Sequence, residues 1–265
     1  CGMAATVGIG GLVTSWAGTG NTQLIGAGCD PMRFSLDMVG DEADSTALAA
    51  SLVQATYLKG LRSWSGSMSG RRSTASIGSA GSVTFSPGYT ANIKSFEVVF
   101  ECDQFDATIL GSSATSARWR EFIPGLIRVS GSYETYIDGT TALAPPAGGS
   151  EPAPMTLALG SSESFAFSAF ATRAAAAVAT NAINTAAYSF RGSGDVTTTA
   201  SGDAMVFDAG SSIATPGIGS LVLQAATSRT YTGDAFWRRI RISNPVDQLV
   251  TIDIDFQGTG ALTPA

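Results

Sequence analysis

The sequence predicts a mainly β protein made of strand units that are partly duplicated, with one or two short helices. Three observations carry that expectation. Short apolar runs alternate with polar residues and are broken throughout by Gly, Ser and Thr. The alternating runs are rich in β-branched and aromatic side chains, which suit a pleated, half-buried surface. A stretch of the chain also repeats at a fixed offset, as internally duplicated architectures do.

The 265 residues suffice for one large β domain or two of ordinary size. No apolar stretch approaches the ~20 residues that a membrane helix needs, so a soluble protein is expected. Only 14% of residues are charged and 31 are Gly, a balance that fits tight turns and surfaces meant to lie against other protein. The net charge of −6 and pI of about 4.6 oppose a nucleic-acid-gripping groove, which would cluster Lys and Arg against phosphates. A mildly negative surface suits a conduit along which DNA slides.

Residues 1–30 read as one or two strands or an extended arm, with apolar pieces at Ala4 to Leu12 and Gln23 to Ala27. Met32 to Val39 alternates as a strand. Asp44 or Ser45 then caps a predicted helix reaching about Leu58, because Leu48, Ala49, Leu52 and Ala55 share one face of a 3.6-residue period. Strands follow at Leu61 to Gly70, Ser82 to Ser86 and Tyr89 to Glu101. The segment 119–138 reads as a short helix or turn ending at Pro124-Gly125 and then a strand. Pro145 to Pro154 is a loop by composition. Residues 170–186 are Ala-rich and fit a helix, whereas Tyr188 to Thr199 looks extended. Ser220 to Ala225, Ala235 to Ser243 and Leu249 to Gly258 are strands of one sheet or small barrel.

An offset of 62 aligns Phe34 with Phe96, Asp41 with Asp103, Asp44 with Asp106, Thr46 with Thr108, Leu48 with Leu110 and Ser51 with Ser113. After a three-residue shift, Gly60-Leu61 matches Gly125-Leu126 and Ser65-Gly66-Ser67 matches Ser130-Gly131-Ser132. The echoes Phe190-Arg191-Gly192-Ser193 and Phe256-Gln257-Gly258-Thr259 are ascribed to the abundance of Ser and Gly. The expected organisation is an N-terminal arm plus a first, partial unit over 1–89. A second unit over 90–265 carries an inserted loop or lobe at about 145–218.

No catalytic or cofactor-binding role is expected. The chain has no His, so Ser-His and Cys-His nucleophile pairs are absent. Paired carboxylates at Asp103 and Asp106, or Asp253 and Asp255, are the remaining catalytic candidates. The second pair alternates with Ile252 and Ile254, the pattern of a solvated or interface face of a strand. Asp41, Glu42 and Asp44 lack the calcium-loop pattern and read as helix N-terminal charge. Gly8 to Gly11 lacks a nucleotide-binding context, and Arg71-Arg72 and Arg238-Arg239 are isolated pairs, solvated or between subunits. Cys1, Cys29 and Cys102 show no metal spacing; they read as two buried side chains plus a terminal one, or as a disulfide within or between subunits. Cys1 ahead of Met3 suggests processing or a start inside a longer chain; a lipid-modified Cys1 has no signal segment to support it.

The stretch WREFIPGLIRVSGS (119–132), its partner GLRSWSGSMSG (60–70), SFEVVFECDQFDAT (95–108) and YTGDAFWRRIRISNPVDQLVTIDIDFQGTGAL (231–262) resemble the phage major tail tube proteins of siphophage type. The positions matching the family motif are Trp119, Arg120, Glu121, Phe122, Pro124, Gly125, Leu126, Trp64, Gly66, Phe256, Gly258 and Gly260. Departures are Gln248 where the family often has Gly, Gln54 to Tyr57 in place of the WREF element in the first copy, and 145–218, which matches nothing in the family. The resemblance implies tail-tube-like β-sandwich or barrel units that contribute strands to a barrel shared between subunits. It implies a virion protein of the phage tail, assembled in the host cytoplasm, in hexameric or pseudo-sixfold trimeric stacked rings. The implied partners are copies of itself and tail proteins such as the tape measure, terminator and possibly a sheath, with DNA passing through unbound and no membrane. Polar and acidic side chains would line the inner face, from Asp253 and Asp255 or the Ser65 to Ser69 face. The alternatives are a neck, tail-terminator or capsid-decoration protein of the same fold, or a secreted β-sandwich binding module.

Overall fold

The backbone N–H and C=O groups of extended strands need hydrogen-bond partners, and the chain supplies most of them by antiparallel pairing. The structure, a computed structural model, describes residues 12–18, 29–44, 57–72, 81–85, 92–108, 119–137, 152–159, 163–178, 180, 183–200, 217–226, 229–246 and 248–264. Its strands are β1 (Leu12–Gly18), β2 (Cys29–Asp44), β3 (Tyr57–Arg72), β4 (Ser82–Phe85), β5 (Ile93–Asp106) and β6 (Phe122–Tyr136). The chain continues through β7 (Ala153–Ala158), β8 (Glu163–Ala177), β9 (Thr185–Ala200), β10 (Gly219–Ala226), β11 (Arg229–Pro245) and β12 (Thr251–Pro264). All twelve join one antiparallel sheet in the order β2-β3-β12-β11-β5-β6-β9-β8-β7-β4, with β10 branching from β11 and β1 pairing β10. The protein is mainly β, as expected.

Pairing sorts the strands into two sets of the same topology. The first unit runs β1-β10-β11-β12-β3-β2 across the sheet, and the second runs β4-β7-β8-β9-β6-β5. In each, the first strand of the set lies beside the fourth, and the order ends on the third and second. The second unit, β4 to β9, is nested in the chain between β3 and β10 of the first. The grouping therefore cuts across a division at residue 89: β10 to β12 complete the first unit, and β7 to β9, within 145–218, complete the second.

The likeness extends to irregularities. Bulges in the β2 to β3 pairing fall between Pro31 and Arg33 and between Gly40 and Glu42; in β5 to β6 they fall between Ile93 and Ser95 and between Cys102 and Gln104, each 62 residues on. Bulges in β8 to β9 (Ala166/Ser168, Ala171/Arg173) recur in β11 to β12 (Thr232/Asp234, Trp237/Arg239), each 66 on. Gly194 and Gly260, again 66 apart, are the two glycines with positive φ among the described residues. A bulge bends a strand and raises its twist. After its bulges β11 changes partner, from β10 (Gly219 to Ala226) to β5 (Ser95 to Glu101).

Apolar residues of both units form one core cluster, including Trp64, Phe96, Phe100, Tyr133, Phe165, Tyr188, Phe190, Trp237 and Phe256. The end strands of each unit approach one another, β1 near β2 and β4 near β5, so each six-stranded set curls around its share of that core.

The helices expected from sequence do not appear among the described residues. Asp44 and Leu58, expected at the ends of a helix, lie on β2 and β3, where Asp44 opposes Tyr57 and Ala43 opposes Leu58; residues 45–56 lie outside the described residues. The Ala-rich segment is strand through Ala177, with Ala174 to Ala177 paired to Thr185 to Tyr188. The helix preference of Ala is a weak bias, and continuity with the buried alternation of Phe165, Phe167 and Ala169 overrides it. Pro124 and Gly125 sit inside β6 rather than ending a helix. The two dismissed echoes also prove structural, since Phe190 and Gly192 on β9 occupy the places of Phe256 and Gly258 on β12.

Candidate functional site: the joint between the two units

Beside a hydrogen bond from Arg72 Nη1 to Leu159 O, two larger contacts couple the units among the described residues. The first is strand pairing, in which β5 adds to the edge of β11 with Glu101 opposite Arg239, Val99 opposite Arg241 and Ser95 opposite Pro245. Arg241 Nη2 lies 2.5 Å from Glu97 Oε2 and Arg239 Nε lies 3.9 Å from Glu101 Oε1, so charge pairs flank the seam. The Glu97 carboxylate strengthens the proton affinity of the Arg241 guanidinium, chiefly through its hydrogen bond.

The second contact is a strap, Trp119 to Glu121, ahead of β6. Trp119 bridges in parallel to Arg62 on β3, whose guanidinium lies over the indole at 5.8 Å. Arg120 N donates to Arg62 O (2.7 Å), and Gly260 N donates to Arg120 O (3.0 Å). The Arg120 side chain spans both units. Its Nη2 donates to Asp41 Oδ2 at 2.6 Å and its Nη1 to Asp106 Oδ2 at 3.1 Å. Thr108 pins the strap: Glu121 N donates to Thr108 Oγ1 (2.9 Å), and Ala107 N donates to Glu121 O (2.8 Å). Hydrogen bonds from Thr108, then the Arg120 charge, hold the Asp106 carboxyl below its usual range.

The structure thus draws together most of the positions that the resemblance singled out. Phe122 N donates to Thr259 Oγ1 (2.9 Å), and Trp64 Nε1 donates to Gly260 O (3.1 Å), so Trp119, Arg120, Phe122, Trp64 and Gly260 belong to one knot. Gly258 lies against the Trp64 indole and Gly66 against the Phe256 ring, places where any Cβ would collide. Glu121 is held through its own N–H and C=O, by Thr108 and Ala107, and Pro124 and Gly125 continue β6 with Gly125 against Asp103 and Phe105. Leu126 stands apart, 73% exposed. Sequence reasoning did not single out Arg62, Asp41 or Thr259 as joint residues. Asp41 was read as the repeat partner of Asp103 and as helix N-terminal charge; it lies on strand β2 instead, and its role differs from that of Asp103. Asp103 binds Arg128 of its own unit through two parallel contacts, at 2.6 and 2.8 Å. The first unit has Ser63 where Arg128 stands, which frees Asp41 for Arg120.

Outside the core lies a polar face that runs through both units. The two candidates for an inner face are one face, because Asp253 opposes Ser69 and Asp255 opposes Ser67. Asp255 also opposes Arg239 and Asp253 opposes Arg241, so acidic residues alternate with cations rather than forming an acidic strip. Arg33 Nε donates to Ser69 Oγ at 2.9 Å on the same face, beside a cavity of about 400 Å³. The candidate carboxylates Asp103 and Asp106 each hold an arginine. Cys102 is a buried free thiol whose pKa burial raises, and Cys29 opens β2. Among the described residues no group of three or more Cys, Asp or Glu is placed to hold a metal ion. No family profile matches the chain, and no curated protein matches it.

Proposed function

We propose that the chain is a structural virion protein, the major tail tube subunit whose stacked rings form the DNA conduit of a phage tail. One observation carries the reading. Two units of the same topology are joined edge to edge, and among the described residues the same kinds of edge remain unpaired at the two ends of the joined pair, on β2 and on β8. A heterologous contact of that kind, repeated between copies, closes a ring or extends a filament. The residues that resemble the tail tube family supply the strap and its receiving site, which ties the resemblance to the joint. Two units per chain favour the trimeric, pseudo-sixfold arrangement among those the resemblance implies. The polar face supports a conduit role, since arginines engaged by carboxylates hold phosphate weakly and let DNA slide.

Electron micrographs of the purified chain at rising concentration test the reading. Extended tubes of regular axial repeat are expected. A single monodisperse ring would instead indicate a neck, terminator or decoration protein, and a stable monomer that binds glycans would overturn the assembly role.

A further inference from the structure

The internal joint shows how edges of these two kinds pair. In it, residues 95–101 of β5 pair with residues 239–245 of β11. The counterpart of β5 in the first unit is β2, 62 residues earlier, and the counterpart of β11 in the second unit is β8, 66 residues earlier. Among the described residues β2 pairs only with β3, and past Ala169 β8 pairs only with β9. Both edges show the exposure expected of an uncovered seam. Met38 on β2 is 55% exposed, where the corresponding Phe100 is buried, and Val178 just beyond β8 is 74% exposed, where the corresponding Asn244 is buried. Unpaired strand edges of this kind recruit other strands.

We infer that β2 of one copy pairs antiparallel with β8 of the next, in the register of the internal joint, so that Val39 opposes Arg173 and Met38 opposes Ala174. The inference rests on the assembly reading above and names its contact surface. Charge fits the register. Across the internal seam Arg241 reaches Glu97, two residues before its direct partner Val99; by the same step Arg173 reaches Asp37. No ion pair among the described residues occupies either. A second feature faces the same neighbour. On the first unit, the strap docks at Arg62 and Gly260; on the second, the corresponding Ile127 and Gly194 line an open cavity of about 540 Å³, with exposed Leu126 at its side. The neighbouring copy covers it.

Cysteine pairing of the full chain reads the register, because directly opposed antiparallel residues lie within disulfide reach. The double variant M38C/A174C, mildly oxidised, should give severalfold more covalent multimer than the wild type, whose own cysteines set the background, or than M38C/A177C. In parallel, R173D and D37R should each raise the concentration needed for assembly, with circular dichroism unchanged, and the combined R173D/D37R variant should restore it. Equal cross-linking of both cysteine pairs, or assembly indifferent to either charge reversal, overturns this interface while leaving assembly standing. Failure of the charge swap to restore assembly overturns the register. A wild-type chain that stays monomeric overturns the assembly reading, and this inference with it.

Discussion

The two units share strand order, bulge positions and left-handed glycines, yet differ in what fills equivalent places. Trp64 of the first unit corresponds to Val129 of the second, Met68 and Ile254 to the stacked pair Tyr133 and Tyr188, and Ser63 to Arg128. Backbone geometry was thus duplicated while side chains diverged. At the joint the two units play different parts, the first receiving the strap Trp119 to Glu121 that precedes β6 of the second. Selection on one unit therefore need not act on the other, and each pair of equivalent positions is an internal control.

The largest contrast is at Trp64, which is 1% exposed and donates to Gly260 O. Trp64→Ala should cost about 3–5 kcal/mol, and Val129→Ala about 2 kcal/mol or less, the scale of one buried Val; chemical denaturation measures both. Next come the glycines beneath them. A Cβ at Gly258 would enter the Trp64 indole, whereas one at Gly192 would lie 2.8 Å from Val129 Cβ. Overpacking costs about 1–3 kcal/mol, and Gly258→Ala should sit at or above the top of that range with Gly192→Ala below it. Gly66→Ala and Gly131→Ala should cost alike, since each Cβ would strike a strand carbonyl and a Phe ring, Ser35 O and Phe256 or Glu97 O and Phe190.

Alkaline pH should separate the units without mutation. Burial, and then the neighbouring Tyr188, push the Tyr133 phenol well above its ordinary value. The unfolded phenol ionises near ~10, so this contribution is whole below that pH and is lost as pH rises beyond it toward the folded value. Hydrogen exchange above that point should open β6 and β9 before β3 and β12, whose Met68 and Ile254 do not titrate. The smallest effect belongs to Arg120→Ala. Its partners are partly exposed, side-chain exposure being 35% for Arg120 and 42% for Asp41 and Asp106. The loss should be the smallest of these and should shrink with salt, because the backbone bonds of the strap remain.

Much of the sheet was legible in the sequence, for a definite reason. Period-two alternation survives in β3, β5, β11 and β12, where one face is core and the other polar, and the repeat in β2-β3 and β5-β6 kept its Asp, Gly and Ser. The repeat in β8-β9 and β11-β12 showed in the sequence only as a Phe-x-Gly echo ascribed to composition, because it is preserved in register and bulge spacing, with Phe and Gly as its few shared residues. The Ala run misled because Ala fits either state, and only the partner strand β9 decides. Of the joint, Trp119, Arg120 and Phe122 were found by resemblance, whereas Arg62, Asp41 and Thr259 were not. Those three belong to other strands, and only the fold brings them within reach.

One joint is made within the chain, between β5 and β11, and the same joint is proposed between chains. A helical reconstruction of the assembled protein at side-chain resolution tests it most directly. The account predicts a ring in which the β5 to β11 seam and a β2 to β8 seam alternate with the same register, so that units of both kinds occupy equivalent positions. Rings in which neighbouring copies meet through any other surface, with the β2 and β8 edges left bare, would contradict it.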